Sequence, residues 1–266
     1  MYYFSLFLIL ILFIIIGIIF YFLYIVNDTF TTMLDINEDI KVLSKEDASY
    51  EIIRDTDGYF ESLTNRDLRI RDSSTVTEYK QKSKKAFCDI NKRLKDKLES
   101  CCRKIKEKLL PYKNKTLIGI SIQPFLEIPW KFAVVSNNVY ENGFPHTRND
   151  IIVLPKDSIE NYTTDKLCKL LIHEKVHVYQ KTNKDAFYQY LRENDFERTG
   201  SRSGDPANPD LDQYRYTHTN IGDLYATYSS TNPSSFQDIS YMKAKQSHEH
   251  PFEYIAYKME NIFDDK

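Results

Sequence analysis

The sequence predicts an α+β fold, a small mixed sheet packed on one long helix, standing behind an N-terminal transmembrane helix. Three observations lead to it. Residues 1–26 carry no charged side chain and are mostly Ile, Leu and Phe, a run long enough as a helix to cross a hydrocarbon core of about 30 Å. In mid-chain, residues 116–122, 131–136 and 150–154 are short runs rich in Ile, Val and Phe, separated by Pro124, Pro129, Asn137, Gly143 and Pro155, which is how strands between turns read. After them, no Gly or Pro interrupts residues 165–181, where Leu167, Leu170, Leu171, Val178 and Tyr179 supply an apolar face at helical spacing.

The first run predicts a retained anchor. It lacks the basic start and small-residue cleavage site of a signal peptide, and Tyr2, Tyr3, Tyr21 and Tyr24 suit the two membrane interfaces. No Lys or Arg precedes Lys41, so flanking charge hardly orients the span. The α-amino group favours an inward N-terminus, which makes the expected location that of a single-pass membrane protein with a lumenal or external catalytic domain. Sequons at Asn27, Asn114 and Asn161 matter only in that topology. Residues 27–73 form a juxtamembrane segment, acidic at first, whose Tyr50, Ile52, Ile53, Tyr59 and Phe60 should fold back onto the core.

The main domain, 74–266, opens on a long basic amphipathic helix over 78–110. Phe87, Ile90, Leu94, Leu98, Ile105 and Leu109 recur three, four or seven apart, and Pro111 ends the run. Between Lys80 and Lys108, 12 Lys or Arg stand against Asp89, Asp96, Glu99 and Glu107. That stripe reads as a solvated face, with attraction to an anionic membrane as the sharper alternative. Later, Thr164 or Asp165 caps the next helix, a second covers 185–196, and 198–247 is mostly loop with one short strand near Leu224. Pro251 opens the last helix at its favoured first position.

Composition narrows the partners. Scarce Gly and Pro beside 20 Tyr and 16 Phe mark a folded chain, and a net charge of −2 gives no argument for nucleic acid. Cys88, Cys101, Cys102 and Cys168 include no Cys-x-x-Cys pair; they read as free thiols with no role in metal binding.

His173-Glu174-Lys175-Val176-His177 is an H-E-x-x-H pattern. On a helix, residues four apart project from one face, so both imidazoles reach one ion. Two neutral imidazoles suit Zn²⁺, and Glu174 stands where it takes a proton from an activated water. A hydrolytic zinc site needs a third protein ligand. Glu253 is best placed, in the first turn of a helix whose Phe252, Ile255, Ala256 and Met259 pack inwards. His250, Glu249 and His248 remain alternatives; His250, before Pro251, also suits a helix cap. The oxyanion formed when water attacks a carbonyl needs a donor as well. Tyr216, His218, Tyr254, His146 and Arg148 are candidates by residue type.

With those residues in place, the sequence resembles the gluzincin branch of zincin metallopeptidases, whose motif is H-E-x-x-H with a Glu ligand from a later helix. His173, Glu174, His177 and Glu253 match, the last in a Glu-x-x-Ala setting with Ala256. The resemblance covers residues 116–263, and the chain is also similar to uncharacterised zincin-like proteins of large DNA viruses. The gap from His177 to Glu253 is longer than in many secreted members. A zincin-like fold is implied, in which the strand before the active-site helix, here 150–154, borders the substrate cleft. So is zinc-dependent hydrolysis of a peptide or protein substrate, with Glu174 as general base. The alternative is an inactive zincin-like binding or structural module tethered to a cell or virion membrane.

Overall fold

The computed structural model describes residues 14–23, 40–136, 138–241 and 248–263. The chain divides into two units, Met1–Ile40 and Lys41–Lys266. In the first, residues 14–23 form a helix exposed along its whole length. Among the described residues no helix is long and apolar enough to cross a membrane. This overturns the expected transmembrane anchor and, with it, the expected single-pass membrane location. The rest of the 1–26 run, with Tyr2, Tyr3 and Tyr24, lies outside the described residues, as does Asn27.

The expected fold class is corrected too. In place of one small sheet, the described residues form a mixed α/β fold with four small sheets. β1 (Ile40–Val42) leads to four short helices, α1 (Lys45–Ile53), α2 (Tyr59–Ser62), α3 (Asn65–Ile70) and α4 (Val76–Lys84). Ser44, Thr64 and Thr75 cap three of them, their side chains accepting from the N–H groups of Asp47, Asp67 and Glu78; such caps satisfy donors that a helix start leaves open. Ile52, Phe60, Leu68 and Tyr79 face inwards and build a core with Ala133, Val135, Ile151 and Val153. Ile52, Tyr59 and Phe60 are buried as expected, whereas Tyr50 is exposed.

The expected helix over 78–110 is two helices. α4 ends at Lys84, and α5 (Lys92–Leu109) starts afresh at Asn91, whose side chain accepts from Leu94 N–H. Between them the sheet captures the backbone: Phe87 bridges Val135, and Cys88 N–H donates to Val134 O at 2.9 Å. Phe87 and Ile90 are buried all the same, so the apolar period runs through a break it does not reveal.

Residues 116–121 form a tight hairpin, β2 (Thr116–Leu117) and β3 (Ile120–Ser121), and α6 (Ile122–Glu127) follows. Its turn holds Gly119 at φ +79°, where an added Cβ would lie 2.4 Å from the Tyr190 ring. β4 (Trp130–Val135), β5 (His146–Arg148) and β6 (Ile151–Pro155) join β1 in a sheet of order β1-β4-β6-β5. β4 and β6 run parallel, with Phe132 opposite Ile152, and β5 is antiparallel to β6. The strand over 150–154 is therefore internal, and β5 is the edge, contrary to what the resemblance implies.

α7 (Lys156–Asn161), α8 (Thr164–Thr182) and α9 (Lys184–Glu193) come next, and α8 packs on β5, β6 and α5. The cap of α8 is Thr163, one residue before the expected start. Of residues 198–247, expected to be mostly loop with one short strand near Leu224, the described part holds that strand, β9 (Gly222–Leu224), and also β7 (Phe196–Ser201), β8 (Tyr214–His218), β10 (Ala226–Tyr228) and β11 (Ile239–Tyr241). β7 exposes all but Phe196 and β8 buries only Tyr216, so neither writes the apolar alternation that marks a half-buried strand. α10 (Pro251–Glu260) closes the fold against α8, opened by Pro251 as expected.

Candidate metal centre

The centre is built where α8 and α10 meet. α8 is fixed by its Thr163 cap and by Leu167, Leu171, Ile172, Val176, Val178 and Tyr179, all buried. Lys175, a variable position of the motif, sends its ammonium to Ile128 O at 2.7 Å and lies over the Trp130 ring. α10 is set by His250, whose Nδ1 accepts from Phe252 N–H, and by Phe252, Ile255, Ala256 and Met259 packed inwards. Two rigid helices therefore hold the three donors, which keeps their geometry tight.

His173, His177 and Glu253 come together, their ligand atoms within 4.8 Å of one another. His173 Nε2 and His177 Nε2 are 3.1 Å apart, and Glu253 places one oxygen 3.3 Å from His173 Nε2 and the other 3.7 Å from His177 Nε2. Tetrahedral zinc with Zn–N bonds of about 2.0–2.1 Å separates two ligand atoms by about 3.3 Å. The two imidazole nitrogens lie near that value and each has a Glu253 oxygen near it, so two imidazoles and a carboxylate, with all three ligand atoms within 4.8 Å, fit the ion in chemistry.

The other ring nitrogens are also held. His173 Nδ1 donates to Glu260 Oε1 at 2.6 Å, and His177 Nδ1 donates to Gln180 Oε1 at 2.8 Å. Gln180 in turn donates to Phe252 O at 3.1 Å, tying His177 to the residue beside Glu253. Such outer bonds fix the tautomer and turn each Nε2 towards the centre. Glu174 is buried, and its Oε2 has no hydrogen-bond partner among the described residues.

Titration follows from this crowding. Burial disfavours the charged form of His173, but Glu253 and Glu260 outweigh it and hold the imidazole well above its ordinary range. His177 is lowered because burial prevails there. Burial also pushes Glu253 up, and the two imidazoles more than offset that, leaving it low. Glu174 is held well above the usual carboxylate range, first by burial and then by Asp210 and Glu253. The carboxylates around the centre favour positive charge there, seen as the raised hold of His173 on its proton.

The remaining sequence candidates lie elsewhere in the local structure. His250 is a helix cap whose Nε2 donates to Asp212 and to Tyr214 O. Glu249 accepts from Asn208 at 2.7 Å, and burial pushes its carboxyl up to about 7. His248 stacks on the Tyr257 ring. Among the oxyanion candidates, Tyr216 donates to Asp212, and Arg148 is engaged by Asp55, Asp57 and Tyr140. His218 and Tyr254 pack against Phe196, and His146 is buried with Nε2 unpartnered among the described residues.

Sequence reasoning missed Gln180, Glu260, Tyr257 and Asp210. Gln180 follows His177 by three residues and Glu260 follows Glu253 by seven, spacings that return to the same helix face, so both were legible. Tyr257 sets its ring 4.7 Å from that of His173, on a helix position that is 46% exposed. Asp210 belongs to a loop and had no periodicity to betray it. Compared with protein-family models, with curated proteins and with solved structures, the chain matches none.

Proposed function

We propose that this chain is a zinc-dependent peptidase, with His173, His177 and Glu253 holding the metal and Glu174 acting as general base. The observation that carries the reading is the convergence of three ligand atoms, all within 4.8 Å of one another, beside a buried Glu174 oxygen without a hydrogen-bond partner among the described residues. Bound zinc would supply Lewis acidity, acidifying water and polarising a carbonyl oxygen. Glu260 and Gln180 keep Nδ1 of the two imidazoles protonated and Nε2 turned inwards. Glu174 Oε2 accepts the proton that the attacking water loses and passes it to the leaving amine nitrogen. Tyr257, half-exposed against His173, is placed to meet substrate.

The test is Glu174→Gln in the zinc-loaded chain, assayed on a pool of short peptides. Peptide hydrolysis should fall about 10²–10⁴-fold while the zinc content stays at one per chain. Activity that survives the change with zinc bound overturns the mechanism; absence of zinc from the folded wild-type chain overturns the metal site itself.

A further inference from the structure

β5 is the outer strand of the four-stranded sheet, and an exposed strand edge is where an extended chain adds by main-chain hydrogen bonds. Only one residue of β5 turns its backbone outwards. Thr147 faces Ile152, but its N–H donates to Asp210 Oδ1 at 2.7 Å and its C=O accepts from Lys181 Nζ at 2.7 Å. In an antiparallel ladder such groups belong to the pair that is not mutually hydrogen-bonded, and they are what a new strand must engage. Here a carboxylate stands where an incoming strand would place its carbonyl oxygen, and an ammonium where it would place its N–H. Lys181 lies one turn after His177 on α8, so this edge runs alongside the candidate metal centre. Asp210 is close enough for its charge to act on both Glu174 and His177.

Asp210 comes from the connection between β7 and β8. Ser201 pairs with Tyr214, leaving residues 202–213 between them, far longer than the usual hairpin loop of about two to five residues. That loop crosses the molecule as a strap with separate anchors. Arg66 donates to Gly204 O at 2.7 Å, Asp67 accepts from Ala207 N–H at 2.8 Å, Arg71 donates to Ala207 O at 3.0 Å, and Asn208 donates to Glu249 at 2.7 Å. Beneath it lies a cavity of about 830 Å³, lined among others by Gln180, Lys181, Asp210 and Phe252. Residues 202–213 all line that cavity, and polar side chains anchor them at Gly204, Ala207 and Asn208.

We propose that residues 202–213 are an autoinhibitory strap: Asp210 occupies the Thr147 N–H at the edge of β5 that an extended peptide needs, and peptide binding requires the strap to lift and the Lys181 side chain of α8 to leave the Thr147 C=O. The peptide and its place beside the metal rest on the peptidase reading above; the strap itself rests on the Thr147 contacts. A binding site populated only when the strap is open has its apparent affinity reduced by the open fraction.

The experiment measures binding without cleavage. In the Glu174→Gln background, short random peptides blocked at both ends and labelled with fluorescein are titrated by anisotropy against two further variants, Asp210→Ala and Arg66→Ala. Both should bind about tenfold more tightly than the background, because an open state populated at 10% or less becomes the main one. Hydrogen exchange at the Thr147 amide should speed up in both and slow again when peptide is added. Affinity unchanged within twofold in the folded variants, or weakened, overturns the strap. If Asp210→Ala fails to fold, Arg66→Ala decides alone, since it loosens a distant anchor and leaves Thr147 untouched. Tighter binding with no hydrolysis by any Glu174-containing chain would overturn the peptidase reading and leave the strap standing.

Discussion

Two buried clusters of charge in this molecule solve the same problem in opposite ways. In the first, Arg71 meets Glu141 through two parallel bonds of 3.0 and 2.6 Å, and its remaining donors reach Tyr59, Asp67 O and Ala207 O. Tyr79 donates to the same Glu141 carboxylate. Charge is balanced and the donors are used. In the second, around His173 and His177, three carboxylates crowd two imidazoles and Glu174 Oε2 is left without a partner. Low local dielectric makes such an arrangement costly unless something positive completes it. The first cluster closes on itself, and the second is the one that the peptidase reading completes with a metal ion.

The sharpest way to break that comparison is to unbalance the satisfied cluster. Glu141→Ala leaves the Arg71 charge buried and unpaired, which costs about 3–5 kcal/mol, read as a lower urea midpoint. A loss below about 1 kcal/mol, the level of an exposed ion pair, would show that the cluster is wetter than its burial implies. The sign of its pH dependence is also fixed. Burial pushes the Glu141 carboxyl up, but Arg71 more than offsets this, and the group sits below its ordinary value of 4.5. Its stabilisation is complete above that value and is lost as pH falls through the lowered one. In Glu141→Gln, this acid-sensitive component should vanish.

The unsatisfied cluster should respond to metal instead. With free zinc at about 100 times its dissociation constant, a ligand that binds only the native chain adds about 2.7 kcal/mol. Chelation should remove that increment, and His177→Ala should never show it, while the Arg71–Glu141 cluster keeps its acid profile throughout. Because ligand imidazoles must lose protons to bind metal and His173 holds its proton above the ordinary imidazole range, the zinc increment fades as pH falls through that raised range, at higher pH than the loss from Glu141. A melting temperature indifferent to zinc would place the second cluster with the first, as structure and nothing more.

How much of this was legible in the sequence depended on whether a residue's role follows from local period. His173, Glu174 and His177 were readable because spacing alone puts them on one helical face, and Glu253 because Pro251 announces the helix that presents it. Strands β4 and β6, buried on both faces, announced themselves as apolar runs. The edge strand β5 did not: His146-Thr147-Arg148 contains no apolar residue, and all three are buried by contacts from distant segments, such as Arg148 with Asp55 and Asp57. Glu141 was invisible for the same reason, its partner lying 70 residues away. The expected helix over 78–110 failed because an apolar stripe reports burial and not backbone continuity. The anchor read from residues 1–26 failed because apolar composition sets what a segment could do as a helix, whereas among the described residues no helix is long and apolar enough to cross a membrane.

The smallest effect gives the finest test, because it asks whether the outer partners of the imidazoles belong to the chemical cluster or to the scaffold. Glu260 accepts from His173 Nδ1 at 2.6 Å and is not itself among the three converging ligands. Glu260→Gln preserves the shape and an oxygen acceptor but removes the negative charge that helps His173 donate towards the metal. Losing such a partner typically costs 10–100-fold in metal affinity, about 1.4–2.7 kcal/mol. The group is only partly buried, with 23% of its side chain exposed, so the lower end is expected. Zinc affinity measured by competition with a chromophoric chelator should fall about tenfold while the urea midpoint of the metal-free chain hardly moves. If the midpoint falls and zinc affinity holds, Glu260 serves the packing of α10 on α8, and the boundary between the two kinds of buried charge must be drawn closer to the metal.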